Sequence, residues 1–351
     1  MSTAELLIFN LDGTIVDVSQ SVPSAIRRTV QNYFSHFLGI HGSGSLVSNN
    51  DLQLFWQAGL NDPQELSAAL IAYLLSLLPE TFYASRPPSN INEAVGFLKK
   101  TSQSVRHISS EYLQKQANLP DIAARIQAAG GGTLGLKKVM KGHLKHPLLM
   151  DQGPIDKSNL VGRLFLEIYL GKKNLYRVER LRPRFHRQAG LIESETLLID
   201  QKMLQTLHHK YRARMALVTT RRQANLELIT KGHQIDHLFD AIISRENMVS
   251  EAARLRRLGK SAHVAMPHPF MLLDAAEYLD YQGTQTALYI GNTPNGMRAA
   301  QAADAESKRT FLAWGLVPSG AKQAALKQEL IIAGAQQLFD DPTTLMTQLL
   351  G

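Results

Sequence analysis

The residues best placed to do chemistry stand close to the N-terminus. The apolar run Leu6-Leu7-Ile8-Phe9 breaks into Asn10-Leu11-Asp12-Gly13-Thr14. Such a run reads as a buried strand whose C-terminal end presents polar side chains to a cleft. A turn of this kind carries phosphoryl transfer when its first polar residue is a carboxylate that attacks phosphorus and forms an aspartyl-phosphate. Asn10 keeps the shape of that side chain without its charge or nucleophilicity. Asp12 remains as a carboxylate able to act as acid or base.

Other polar groups end apolar runs in the same manner. Leu217-Val218 leads into Thr219 and Thr220, and Tyr289-Ile290-Gly291 leads into Asn292. From about Leu191 onward, β-type runs at Met215–Val218, Ala241–Ile243, Ala287–Ile290 and Phe311–Ala313 alternate with helical patterns. That alternation predicts parallel βα units, and the first strand belongs with them. The intervening chain reads as helical. A long helix is expected from Ser21 to Phe37 on the spacing of Ile26, Val30, Tyr33, Phe34 and Phe37. Shorter helices follow over Asp51–Ala58 and over Pro63–Leu78, the latter capped by Asp62. Loops are expected at His41-Gly42-Ser43-Gly44-Ser45 and Arg86-Pro87-Pro88-Ser89-Asn90. Gly130-Gly131-Gly132 has no strand before it and no Gly-Lys-Ser/Thr after it, so it reads as an interhelical turn and not a phosphate cradle. A further helical run from Val161 ends at Tyr169-Leu170-Gly171. The resulting division is an α/β core over 1–18 and 196–351, interrupted by a helical insertion over 19–195.

Composition bounds these readings. A chain of 351 residues suits two domains, and 44% hydrophobic with 19% charged residues supports a sizeable core. No stretch approaches the roughly 18 unbroken apolar residues of a membrane span, and no secretory leader pattern opens the chain. A soluble cytosolic protein, or a plastid stromal one after processing, is the expectation. The absence of cysteine excludes disulfides, thiolate metal sites and cysteine nucleophiles.

The formal net charge of +8 favours acidic partners. The densest basic segment contains Lys172, Lys173, Arg177, Arg180, Arg182, Arg184 and Arg187. It is the candidate docking surface for an acidic protein, with a solubilising helix face as the plain alternative. Nucleic acid is the weaker reading, because no helix-turn-helix spacing, zinc module or RNP-like aromatic motif accompanies the charge. The His208-His209 pair, and His263 with His268, show no recognised metal spacing.

Four motifs in order resemble the haloacid dehalogenase superfamily, of the phosphoglycolate-phosphatase-like type with an α-helical cap. Phe9-Asn10-Leu11-Asp12-Gly13-Thr14 resembles Asp-x-Asp-Gly-Thr, and Leu217-Val218-Thr219-Thr220 resembles the second motif, an apolar strand ending in a hydroxyl residue. Met266-Pro267-His268-Pro269 resembles Lys-Pro-x-Pro ahead of a helix with Leu272, Ala275 and Ala276. Tyr289-Ile290-Gly291-Asn292-Thr293-Pro294-Asn295-Gly296, with Ala299 and Ala302 after it, resembles Gly-Asp-Thr-x-x-Asp. Ala333-Gly334-Ala335 and the Leu-rich C-terminal helix resemble the family's tail, whereas the stretch from about Pro87 to Asn159 is longer than such caps usually are.

The resemblance implies a Rossmann-like parallel sheet and a Mg²⁺-dependent phosphohydrolase, with specific residues in each motif. In this chain the nucleophile position holds Asn10, the lysine position Met266, the metal acid Asn292, and the final acid falls on Gly296. Asp12 and Thr219 keep the expected types. Loss of a covalent nucleophile costs on the order of 10⁴–10⁶ in rate, and neutral residues at two metal positions argue against Mg²⁺. Lys260 or Asp17 could be offered as replacements, but a solvated lysine and a capping or hinge role are the simpler readings. The expectation is a pseudoenzyme that acts by binding an acidic protein or an anionic small molecule, as a regulatory, assembly or scaffold protein. Asn10, Asp12, Thr219, Thr220 and Asn292, with the backbone N–H of Leu11, are the candidate anion ligands, and no metal or other cofactor is expected. The alternative is a residual or altered phosphohydrolase that uses Asp12 as acid or base.

Overall fold

The computed structural model describes residues 4–42, 45–78, 88–143, 153–212, 214–261, 264–317 and 323–351. The chain forms two compact units, Met1–Val18 with Glu195–Gly351, and Ser19–Ser194. Ser43, Gly44, Arg86, Pro87 and His263, named above, lie outside the described residues.

The first unit is built on a parallel sheet. Its strands are β1 (Leu6–Asn10), β4 (Met215–Val218), β5 (Ala241–Ile243), β6 (Ala287–Gly291), β7 (Phe311–Leu316) and β8 (Gln337–Phe339). Their order is β5-β4-β1-β6-β7-β8, every pairing parallel. Leu6 to Phe9, Met215 to Val218 and Ala287 to Ile290 are buried throughout, as strands covered on both faces must be. Between these strands run α9 (Gln201–Lys210), α10 (Gln223–Gly232), α11 (Arg245–Arg257), α12 (Phe270–Leu279), α13 (Pro294–Glu306) and α14 (Gln323–Ile332), with α15 (Pro342–Leu350) closing the chain. The buried small residues Ala299, Ala300 and Ala303 let α13 come close to β6 and β7. This is the α/β, Rossmann-like architecture expected.

The strand order reverses at β1, which has β4 on one side and β6 on the other. Asn10 pairs in register with Val218, and Phe9 with Ile290. The C-terminal ends of these three strands therefore meet at a topological switch point, where open α/β sheets place their ligands. A small antiparallel ribbon, β2 (Val16–Asp17) with β3 (Thr196–Leu197), lies next to it. Asp17 is thus a ribbon residue paired with Thr196.

The second unit is helical: α1 (Val22–Asn32), α2 (Asn49–Gln57), α3 (Pro63–Ser76), α4 (Ile91–Thr101), α5 (Ser110–Gln116), α6 (Leu119–Ala128), α7 (Gly132–Val139) and α8 (Leu160–Glu179). Asp62 caps α3 by accepting from Gln64 N and Glu65 N, as expected. The long first helix differs from expectation: regular α geometry stops at Asn32, and Tyr33–Phe37 form a π-turn that buries Tyr33, Phe34 and Phe37. The helical run from Val161 breaks at Gly171 as expected, at φ 68° and ψ 177°, and a second helical stretch follows it to Glu179. The reason is a crossing of backbones. A side chain on Gly171 would collide with Ala189 and Gly190, and Lys172 N donates to Gln188 O at 3.1 Å. No helix among the described residues is long and apolar enough to cross a membrane.

Candidate functional site

The strand ends bring Asn10, Asp12, Thr219 and Asn292 into one cluster. Leu11 O accepts from Ile15 N and Val16 N at 3.0 Å, and Gly13 N donates to Val16 O at 2.8 Å. This folds residues 11–16 into a tight turn. Gly13 is required twice there, by its φ of +72° and because a Cβ would strike the Asn292 amide.

The side-chain amides of Asn10 and Asn292 engage each other. Asn10 Nδ2 donates to the Asp12 backbone oxygen at 2.7 Å and to Asn292 Oδ1 at 3.0 Å. Both donors of the Asn10 amide are used in this way. The Leu11 N–H is engaged as well, donating to Val218 O at 3.1 Å. The expectation that Asn10 and the Leu11 N–H serve as free donors to an anion therefore meets two donors that already have internal acceptors. Thr219 is buried, and its hydroxyl accepts from Arg221 N at 3.1 Å, closing the turn after β4. Thr220 is exposed.

The residue missed by the sequence reading is Arg221. Its guanidinium reaches back to the first turn: Nε and Nη2 lie 2.8 and 2.6 Å from Asp12 Oδ1, and Nη1 lies 2.8 Å from Glu195 Oε2. The Arg221 side chain is 7% exposed and that of Glu195 fully buried. The β2–β3 ribbon explains Glu195, because Thr196 pairs with Asp17 and so leaves the preceding residue beside the turn. Three charged groups thus form one chain, with the buried arginine between a half-buried and a fully buried carboxylate. The signal available in sequence was the pair Arg221-Arg222 directly after the second motif, which resembles an ordinary surface charge.

The remaining motif positions are occupied without charge. Met266 packs, partly buried, against the core of the first unit. His268 accepts from Phe270 N through Nδ1 at 3.2 Å at the start of α12. Gly296 sits at the beginning of α13, where a Cβ would collide with the Tyr289 hydroxyl. The place of an acid there is filled by the tyrosine. Lys260 is exposed beyond the end of α11. His208 lies 3.7 Å from Asp240, and among the described residues no three His, Asp or Glu side chains gather in a metal-binding group.

The Mg²⁺ that the resemblance implies does not fit these residues. Such an ion takes octahedral oxygen ligands, normally including carboxylates. Asn10 turns its NH₂ and not an oxygen toward the Asp12 carbonyl and Asn292, and the Asp12 carboxylate is held by Arg221.

The second unit holds its own buried ion pair. Arg163 Nε lies 2.6 Å from Glu167 Oε1, with the two side chains 4% and 0% exposed. Glu167 Oε2 further accepts from the backbone N–H groups of Arg184, Phe185 and His186 at 2.9, 2.6 and 2.9 Å. Arg163 also donates to the Arg182 carbonyl. The stretch from Arg182 to His186 is thereby fixed to α8, while Arg182, Arg184 and Arg187 stay exposed. Lys172, Lys173 and Arg177 are exposed on the second part of α8, and Arg180 is exposed at its left-handed end.

Comparison with known proteins agrees with the fold. A family model of haloacid dehalogenase-like hydrolases matches residues 4–304. A search of curated proteins finds no match. Among solved structures, the X-ray structure of a structural-genomics target is similar at a TM-score of 0.62 and 17% identity, covering 98% of each chain. Phosphatase Tt82 from Thermococcus thioreducens is similar at a TM-score of 0.52 and 16% identity, covering 93% of this chain and 98% of its own. At these identities the structural likeness speaks to fold alone. With the matched model spanning most of its length, the chain belongs to the haloacid dehalogenase-like hydrolases.

Proposed function

We propose that this chain is a non-catalytic member of its family, a pseudoenzyme acting by binding in a regulatory, assembly or scaffold role. The observation that carries the reading is the Arg221 bridge. Asp12 is the single carboxylate retained among the family's motif positions, and it is engaged in an ion pair with a buried arginine. The guanidinium lies 2.8 and 2.6 Å from the same carboxylate oxygen, Asp12 Oδ1, so that oxygen is already engaged by a protein partner. The use of Asp12 as acid or base is correspondingly disfavoured. Asn10 supplies no nucleophile, and Met266 supplies no positive charge to a developing phosphorane.

The binding surface in this reading is the basic segment of the helical unit, and the partner is an acidic protein. The buried Arg163–Glu167 pair supports it by holding the main chain of residues 182–186 while Arg182, Arg184 and Arg187 stay exposed. A loop ordered in advance loses less entropy on binding.

Two measurements on the full chain test this. Turnover of p-nitrophenyl phosphate and a panel of phosphorylated metabolites, with Mg²⁺ present, should stay at the uncatalysed rate. Poly-L-glutamate should bind with a steep salt dependence, and Arg182→Gln/Arg184→Gln/Arg187→Gln should weaken it at least tenfold. Turnover abolished by Asp12→Asn would overturn the pseudoenzyme reading. Tighter binding of single-stranded DNA of equal charge, lost in the same variant, would replace the protein partner by nucleic acid.

A further inference from the structure

We propose that the Asn10 amide is a built-in substitute for a cation at the catalytic turn of this fold. It goes beyond the binding role, because it concerns how the turn holds itself whatever the basic segment binds. Two oxygens converge on one atom: the Asp12 carbonyl and Asn292 Oδ1 lie 2.7 and 3.0 Å from Asn10 Nδ2. By the resemblance, the Asp12 backbone and the side chains at 10 and 292 are the candidate ligands of a divalent ion. Here one NH₂ group meets the other two oxygens with its two hydrogens.

The chemistry assigns the nitrogen to that position. An oxygen 2.7 Å from the Asp12 carbonyl, with no hydrogen between them, would be repelled, whereas an N–H at that distance is bonded. The substitutions at 10 and 292 consequently act as a pair. Position 10 supplies donors, position 292 supplies a neutral acceptor, and no excess negative charge is left between them. Arg221 bridges the remaining acids, Asp12 and Glu195, and offsets one of their two charges from inside the protein. The turn is complete without an ion.

The test is thermal unfolding of the full chain in EDTA and in millimolar Mg²⁺ at matched ionic strength, with Mn²⁺ as a second probe. Wild type should unfold at the same temperature in both. Asn10→Asp exchanges two donors for a charged acceptor facing two oxygens, so its midpoint should fall by about 5 °C or more in EDTA. Mg²⁺ should return much of that loss, since an ion bound only by the native state raises stability by mass action. Asn10→Ala should be destabilised and insensitive to the metal. Asn292→Asp keeps the donors and gives them a charged acceptor, so it should be no less stable than wild type and equally insensitive. A Mg²⁺ response in wild type, an Asn10→Asp protein as stable as wild type in EDTA or unresponsive to metal, or a metal requirement in Asn292→Asp would each overturn the proposal. If Asn10→Asp cannot be purified, wild type and Asn292→Asp decide it: stability without metal response in both supports it, and a response in either overturns it.

Discussion

Arg221 Nη2 lies 2.6 Å from Asp12 Oδ1, and the same guanidinium places Nη1 2.8 Å from Glu195 Oε2. Asp12 is 30% exposed at its side chain and Glu195 is fully buried, so the two ends of the bridge differ in what they need from the arginine. Removing one partner of a buried pair leaves an uncompensated charge and costs about 3–5 kcal/mol. Arg221→Met should therefore lower the denaturation midpoint severely, through Glu195 more than through Asp12. Arg221→Met/Glu195→Gln should recover a large part of the loss, and Arg221→Met/Asp12→Asn a small part. Urea unfolding of the three variants checks the order, and equal recovery by both double variants would contradict it.

That bridge also marks where sequence reasoning stopped. β1, β4 and β6 are legible because each is a short, unbroken apolar run, which a strand buried on both faces requires. β2 and β3 are two residues each, too short for any periodicity to register. Glu195 is placed by that ribbon, so its proximity to Asp12 is a product of topology and has no local signature. Arg221 is hidden for another reason: in sequence it is one of two adjacent arginines, and only the depth of the site separates it from Arg222. β8 has just three residues, two of them half-buried, and gives no clear strand signal. The basic segment was readable as charge, whereas the carboxylate that shapes it lies on α8 and looks like one half of a surface i,i+4 pair.

Glu167 gives the second prediction. Its carboxylate accepts from three consecutive backbone N–H groups and from Arg163, and it is fully buried. Glu167→Gln would turn one acceptor into a donor facing N–H groups and leave Arg163 without its counter-charge. A loss of about 3 kcal/mol is expected from the broken buried pair. Amide hydrogen exchange should rise specifically over residues 182–187. Unchanged protection there, with stability lost elsewhere, would show that the segment is held by other means.

Asp280 and Asp274 give a pair of opposite pH effects. Asp280 is lowered below the ordinary aspartate value. Burial opposes this, but hydrogen bonds from the backbone of Gln285 and Thr284, together with Arg309 at 3.1 Å, outweigh it. Its contribution to stability is present above its unfolded value of about 4 and is lost as pH falls through the folded one. Asp280→Asn should therefore destabilise at pH 7 and converge with wild type in acid. Asp274 is raised, first by burial and then by Glu277 and Glu251. Its protonated form favours the fold below about pH 4, and that advantage disappears as pH rises through the raised value. Asp274→Asn should accordingly stabilise the protein at pH 7 and have no effect in acid. Midpoints of urea unfolding followed from pH 7 down to about pH 2 test both signs. A parallel response of the two variants would refute the assignment.

Tyr289 explains why the fourth motif ends in glycine and yields the last prediction. The side chain is fully buried on β6, and its hydroxyl has no hydrogen-bond partner among the described residues. Burial pushes its ionisation well above the ordinary tyrosine range, so the group stays neutral. The hydroxyl occupies the space that a Cβ on Gly291 or Gly296 would need. An acid at 296 and a tyrosine at 289 are thus mutually exclusive without movement of α13. A buried hydroxyl with no partner costs about 1–3 kcal/mol. Tyr289→Phe should therefore raise stability by about 1 kcal/mol after the loss of the oxygen's packing contacts. Gly296→Asp should destabilise strongly when Tyr289 is intact and less when it is combined with Tyr289→Phe. The ring carbons still lie close to that position, so the relief is partial. A thermal-unfolding double-mutant cycle measures the coupling, and additive effects would mean that the tyrosine does not exclude the acid.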